Sequence, residues 1–366
     1  MTINLISDTI TKPTPAMLEA MLAAEVGDDV FGQDPTVNAL QEKAANMFGK
    51  EAALFCPSGT MTNQIAVKVH TQPLDELICD KDSHVYQYET GGYAFNSGVA
   101  VNLIDGTNGK ITADQVEAAI KPVHDWLPLS RLVVLENTAN KGGGSIYTLD
   151  EIKPIRRLCR QRGLKLHLDG ARLFNALVET GESTRDIGEQ FDSISICLSK
   201  GLGAPVGSLL IGDQEFIAKA RRFRKVMGGG MRQAGYLAAA GIYALDHHVE
   251  RLKEDHRRAK ILGETLEALP WVAAVRPCKP TSSSLTWRRP SWPISSSMKW
   301  KNRAFSLHPS APPPSASSPT CISTMTCWTG RLGPCGRLGP ERAFKPPFGR
   351  GLNSFAVFRL LKLLNC

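Results

Sequence analysis

The sequence predicts an α/β fold with a mostly parallel central sheet. Three observations carry that expectation. Strand-like and helix-like stretches alternate through the first 276 residues, the pattern of repeated strand–helix–strand units. Several apolar runs are short and carry no polar alternation, as strands buried on both faces do. Two of these runs end on a charged residue followed by small ones, at Asp169 and at Lys200. In a parallel sheet, ligand groups gather at such strand ends.

The elements follow in order. Helical spacing runs over residues 14–24, after Pro13 and Pro15. A second helix is expected over 34–48, with Asp34 as N-cap and Pro35 at its first position. Residues 52–56 read as a strand and 61–70 as the helix after it. Further strands are expected over 76–79 and 131–135, the latter running into Glu136. A helix over 149–162 feeds the strand that ends at Asp169. The strand over 192–198 delivers Ser199 and Lys200, and residues 206–211 form the next one. Helices are expected over 214–224, 234–247 and 249–269.

The chain changes character after Arg276. Of its 43 Lys/Arg and 35 Asp/Glu, 13 and one respectively lie beyond Arg276, the single acid being Glu341. The first 276 residues therefore hold 30 basic and 34 acidic side chains, a net of −4. The overall +8 is a property of the tail, so it argues for no nucleic-acid partner. The tail is rich in Ser, Pro, Arg and Gly but holds four of the six tryptophans, Trp287, Trp292, Trp300 and Trp328. Ordinary disordered segments are poor in aromatics. A shifted reading frame accounts for both features. Taking the third base of each codon with the first two of the next, residues 280–287 permit a strand-like run. The Met325–Thr326 and Trp328–Thr329 junctions then force Asp, and Cys327–Trp328 forces Leu.

No metal site is expected: Cys56, Cys79, Cys159 and Cys197 lack ligand spacing and sit in apolar contexts, as reduced core thiols do. The opening MTINLISDTITKP lacks the basic and apolar regions of a signal peptide. No apolar run reaches the roughly 18–20 residues of a membrane span. The expected location is the cytoplasm, with no membrane partner.

The chemistry sits in three places. Ser58-Gly59-Thr60 opens a helical stretch, and exposed amides at a helix start suit a phosphate. Asp169 ends an apolar strand, and a carboxylate buried there needs a cationic partner. Lys200 offers an amine at a small-residue turn. A phosphate cradle, a buried acid and a reactive lysine are what pyridoxal 5'-phosphate (PLP) requires: its phosphate is held by amides, its ring nitrogen by a carboxylate, its aldehyde by an amine. Each feature alone reads as something plainer, a helix cap, a turn acid or a solvated lysine; the order of the three carries the weight.

With these motifs the chain resembles the low-specificity L-threonine aldolases, PLP enzymes of the aspartate-aminotransferase fold type grouped with the β-eliminating lyases. The resemblance rests on Ser7-Asp8-Thr9, on the stretch from Val26 to Thr36, and on Pro57-Ser58-Gly59-Thr60. It continues through His84-Val85-Tyr86, Glu89-Thr90-Gly91-Gly92, Glu136-Asn137-Thr138 and His167 to Arg172. It ends with Ser199-Lys200-Gly201 and Gly228 to Gly235. It implies a PLP-dependent transferase-like large domain over residues 1–248 and the start of a small C-terminal domain over 249–280. Residues 281–366 then form an aberrant, frame-shifted and poorly ordered tail.

By the same resemblance Lys200 binds the cofactor covalently, Asp169 holds its ring nitrogen, and His84 stacks on the ring near the substrate hydroxyl. Gly59 and Thr60 hold the phosphate, with Lys225 and Arg232 contributed from a neighbouring subunit. Ser7 and Arg172 bind the substrate α-carboxylate. The implied partner is a small amino acid, and the implied assembly a homotetramer. The implied reaction is aldol cleavage of L-threonine or L-allo-threonine to glycine and acetaldehyde, in glycine biosynthesis and threonine catabolism.

Three departures from the family stand out: Ile6 where an arginine is usual, Ala139 where a histidine commonly follows, and no match for the family's second carboxylate-binding arginine. Two alternatives stay open at this point. One is another β-eliminating lyase or an aminotransferase of the same fold. The other is a PLP-binding protein inactivated by its altered C-terminus.

Overall fold

A computed structural model describes residues 6–268 together with the strands at 272–275, 283–287 and 322–325. In chain order the elements open with α1 (Pro15–Leu22), α2 (Pro35–Phe48), β1 (Ala52–Cys56), α3 (Gly59–His70) and β2 (Asp75–Asp80). Then come α4 (His84–Gln87), α5 (Gly92–Ser97), β3 (Ala100–Ile104), α6 (Ala113–Ala119) and β4 (Leu129–Glu136). They continue with α7 (Leu149–Arg162), β5 (Lys165–Gly170), α8 (Leu173–Thr180), α9 (Thr184–Gln190), β6 (Ser193–Cys197) and β7 (Ser208–Gly212). Three helices close this part: α10 (Gln214–Val226), α11 (Gly235–His247) and α12 (Leu252–Glu267).

Seven strands form one sheet in the order β1-β7-β6-β5-β4-β2-β3. The pairs β6–β5, β5–β4, β4–β2 and β2–β3 are parallel, and β7 runs antiparallel to both its neighbours. The mostly parallel α/β fold is therefore as expected. Because β7 alone is reversed, β1, β2, β4, β5 and β6 all point their carboxyl ends to the same edge. Both faces are covered: Val133 and Leu135 of β4 join the large core with Leu166, Leu168, Ile194 and Phe48, while Leu132 and Val134 pack with Leu77, Cys79 and Val67. Burial on both sides is why these strands read as unbroken apolar runs.

Local signals set the helix ends. Asp34 caps α2 by accepting from Val37 N at 3.0 Å and is buried because it also accepts from Gly235 N at 2.8 Å. Ser58 caps α3 at Met61 N, 3.2 Å. Such caps contribute about 1 kcal/mol each. The sequence did not announce β3, whose residues are largely uncovered at the sheet edge, nor the short helices α4, α5, α6, α8 and α9.

Among the described residues no helix is long and apolar enough to cross a membrane. Cys56, Cys79, Cys159 and Cys197 are free and buried, as expected of core thiols. A second, antiparallel sheet joins β8 (Val272–Val275), β9 (Ser283–Trp287) and β10 (Ile322–Met325). The rest of the expected aberrant tail lies outside the described residues.

Candidate active site

The carboxyl edge of the sheet collects the predicted residues. β5 and β6 pair in parallel with Asp169 opposite Ser195, so Asp169 and the turn after β6 that carries Lys200 leave the sheet on the same side. That turn is tight: Gly203 N donates to the Lys200 carbonyl at 2.8 Å and Ala204 N to the Leu198 carbonyl at 3.1 Å. Gly203 has φ +79°, a conformation that favours glycine. The Lys200 side chain is half-buried and makes no hydrogen bond or ion pair among the described residues.

Asp169 is buried at 2% exposure. Its Oδ2 accepts from Asn63 Nδ2 at 2.8 Å and its Oδ1 from Ala171 N at 3.2 Å. No Lys or Arg among the described residues forms an ion pair with it. A buried carboxylate held only by neutral donors is ready for a cation from outside the chain.

β1 ends at Cys56 on the same edge, and the chain turns through Ser58 into α3. Gly59 is required here: a Cβ would stand 2.6 Å from Cys197 Sγ. The amides of Gly59 and Thr60 have no partner among the described residues. At the positive end of a twelve-residue helix they form an anion cradle. The loop after α10 lies against this first turn, since Gly229 has no room for a Cβ beside Met61 Sδ and Arg224. The last turn of α10 carries the exposed Lys225, and the loop after it the exposed Arg232. Arg232 pairs with Asp28 at 2.8 Å and lies over the Phe31 ring. No hydrogen bond or ion pair links Lys225 or Arg232 to the other predicted residues.

His84 opens α4. Its amide donates to Glu136 Oε2 at 2.8 Å and its Nδ1 donates to Glu89 Oε1 at 3.0 Å. Burial alone would lower its pKa. The Glu89 hydrogen bond and the charges of Asp169, Glu89 and Glu136 outweigh burial and raise it. The ligand atoms of His84, Glu89 and Asp169 all lie within 4.8 Å of one another. Glu89 is held in turn by Asn63 Nδ2 at 2.9 Å and Gln64 Nε2 at 2.5 Å. Gly92 makes room for this contact, because a Cβ there would stand 2.5 Å from Gln64 Cδ.

Arg172 follows β5, with its guanidinium fork closed on Asp8 by two bonds of 2.6 Å and its Nη1 3.5 Å from Asn140 Oδ1. Ser7 donates to Asp8 Oδ1 at 3.3 Å. Asn140 N reaches Glu136 Oε1 at 3.0 Å. Ser7, Asp8, Arg172, Asn140, Glu136 and His84 thus form one connected set. Burial, then the nearby Asp169 charge, pushes the Glu136 carboxyl up to about 7.

Of the nine residues named from the sequence, the fold brings seven to this edge, Ser7, Gly59, Thr60, His84, Asp169, Arg172 and Lys200; the polar side chains around them, Asp8, Asn63, Gln64, Glu89 and Glu136, had been given no role. One signal was available. Glu136 ends an apolar strand just as Asp169 does, and the two stand opposite each other in the β4–β5 register.

Residues 4–282 match the beta-eliminating lyase family. The chain belongs to this family. The family depends on PLP, and the chain is a lyase. It is 49% identical over 265 residues to the low specificity L-threonine aldolase of Escherichia coli K12, covering 72% of this chain and 79% of that one. It is 46% identical over 272 residues to the probable low-specificity L-threonine aldolase 2 of Arabidopsis thaliana, covering 73% and 77%. A solved putative aromatic amino acid beta-eliminating lyase/threonine aldolase from Exiguobacterium superposes with a TM-score of 0.65 at 28% identity, covering 75% of this chain and 77% of that one. A Leishmania major threonine aldolase shares the fold, with a TM-score of 0.75 at 24% identity over 89% and 94%.

Proposed function

We propose that the protein cleaves L-threonine and L-allo-threonine to glycine and acetaldehyde. The observation that carries this reading is the buried Asp169, held by neutral donors alone, on the same sheet edge as an unpaired lysine and an open helix start. These three groups fit the three ends of PLP. Asp169 would hold the ring nitrogen, Lys200 the aldehyde carbon, and Gly59 and Thr60 the phosphate, with Lys225 and Arg232 serving the phosphate of a neighbouring subunit. When bound, PLP supplies an electron sink for the pair left on Cα as the Cα–Cβ bond breaks.

The chain's own residues do the rest. His84 keeps a proton on Nδ1 because Glu89 can only accept there, which leaves Nε2 to take the β-hydroxyl proton. Ser7 and Arg172 orient the α-carboxylate. Arg172 has two bonds committed to Asp8, so Asp8 sets the angle at which the remaining donors face substrate. The location proposed is the cytoplasm, the assembly a homotetramer, and the pathways glycine formation and threonine breakdown.

For the C-terminal part we propose a shifted frame after about residue 276. What supports it is that a single acid, Glu341, remains there, tryptophans accumulate and the family match stops at 282. The second carboxylate-binding arginine is missing with it, which favours a second reading: a PLP-binding protein of reduced turnover. One experiment separates the readings. Glycine release is measured from both threonine epimers, on this chain and on a version whose frame is restored. Ammonia and a keto acid in place of glycine would refute aldol cleavage. Glycine from the restored chain alone would establish the second reading, and resequencing that finds one continuous frame would refute the shift.

A further inference from the structure

A chain of buried polar side chains runs behind the site, and its polarity is determined by its ends. Asn63, on α3 and 1% exposed, stands between two carboxylates. Glu89 Oε1 lies 2.9 Å and Asp169 Oδ2 2.8 Å from its Nδ2. Ionised carboxylates only accept, so both Asn63 amide hydrogens are committed to them. Asn63 Oδ1 must then accept, and its partner is His167 Nε2 at 3.2 Å. His167 is therefore the Nε2–H tautomer, and its Nδ1 accepts from the Ser193 hydroxyl at 2.8 Å. The Ser193 oxygen accepts from His70 Nε2 at 2.7 Å, and Phe216 stacks on the His70 ring at 4.6 Å. Burial holds both histidines neutral, pushing His167 down to about 4 and His70 to about 3. The relay from His70 to Asp169 thus carries no charge of its own and points every donor toward the acids.

Three carboxyl groups crowd this corner: Asp169, Glu89 and Glu136. Like charges so close favour protonation of one of them. Asn63 opposes that by giving one hydrogen to Asp169 and one to Glu89, and Glu89 in turn grips His84. We propose that Asn63 is a positioning residue that keeps Asp169 ionised as the partner of the PLP ring nitrogen and couples it through Glu89 to His84. The proposal rests on the PLP reading above. Its content is where one proton lies: with Asn63 in place it stays on the ring nitrogen, and without it the proton moves to Asp169.

The test uses PLP labelled with ¹⁵N at the ring nitrogen, bound to wild type, to Asn63→Leu and to Asn63→Ser. Leucine matches the asparagine in size and donates nothing. Serine is smaller and can serve only one of the two acids, and it decides the matter if the leucine variant does not fold. In wild type the ¹⁵N shift should be that of a protonated pyridine. In Asn63→Leu it should move to the unprotonated value, with PLP binding weakened on the order of 10–100-fold, the loss of one charge-assisted hydrogen bond. Asn63→Ser should fall between. A folded variant with the wild-type shift and wild-type PLP affinity overturns the proposal and leaves the PLP reading intact. A wild-type protein that takes up no PLP overturns both.

Discussion

Asp29 and Asp169 are buried to the same depth, at 0% and 2% exposure, but their surroundings differ in kind. Asp29 faces Arg224 at 2.7 Å, itself buried, and Arg224 goes on to donate to the Phe55 carbonyl at 2.7 Å. That carboxylate is neutralised within the chain and ties the 28–32 turn to α10 and β1. Among the described residues, Asp169's carboxylate accepts only from the amides of Asn63 and Ala171. Its negative charge is stabilised but not neutralised. The contrast separates an acid neutralised within the fold from one left open to an outside cation by the type of partner, since depth of burial is the same for both.

The contrast is broken most completely at Lys200. Lys200→Ala should abolish the visible absorbance of bound PLP and all cleavage, while leaving the thermal midpoint of the cofactor-free protein within about 1 °C, because a side chain without hydrogen-bond or ion-pair partners among the described residues contributes little to the fold. A variant that keeps the band would show that another lysine binds PLP.

The two acids can then be exchanged for asparagine in turn. Asp169→Asn should retain PLP and a near-normal fold, with kcat reduced by at least about 100-fold, since a neutral amide cannot hold a protonated ring nitrogen. Asp29→Asn should do the reverse. It leaves Arg224 buried without a counter-charge, at a cost of about 3–5 kcal/mol in unfolding free energy, while whatever folds keeps its kcat. Chemical denaturation and steady-state kinetics on both variants decide it, and equal effects on both properties in both variants would erase the distinction.

Arg172 lies between these cases, being an ion-paired residue at the proposed binding site. Arg172→Lys should raise KM for threonine and lower kcat, each by about tenfold, because a point charge cannot keep two bonds to Asp8 and still orient a substrate carboxylate. A change in stability with unaltered kinetics would move Arg172 to the structural class with Arg224.

What the sequence made legible follows the same line. Asp169 and Lys200 end apolar runs, and a residue that interrupts a buried strand is visible in one dimension. Asp34 followed by Pro35 is a local cap signal, and the structure shows it. The Asp8–Arg172 pair is different, because its partners are 164 positions apart and no periodicity marks them. Asn63 hides for another reason: it is one polar residue in the helix Gly59–His70, and only packing against β5 reveals which acids it serves. β3 escaped notice because its half-covered residues break the apolar run that betrays the inner strands.

Glu136 gives the smallest expected effect and the finest version of the comparison, since it is a third buried acid with neither an arginine nor a ligand assigned to it. Its two oxygens accept from the His84 and Asn140 amides. Burial and then Asp169 still raise its pKa from the ordinary 4.5 to about 7. The sign follows from proton uptake: between those values the folded protein holds a proton that the unfolded chain has released. Stability from this group is therefore fully present below pH 4.5 and is lost as pH rises through 7, by about 3 kcal/mol in all. Glu136→Gln cannot titrate and sacrifices one of the two amide bonds, about 1 kcal/mol. It should be slightly less stable than wild type at pH 5 and more stable at pH 8, so that the two stability curves cross. Urea denaturation at both pH values measures this, and curves that stay parallel would mean that Glu136 is ionised in the fold and that its charge is neutralised as well as that of Asp29.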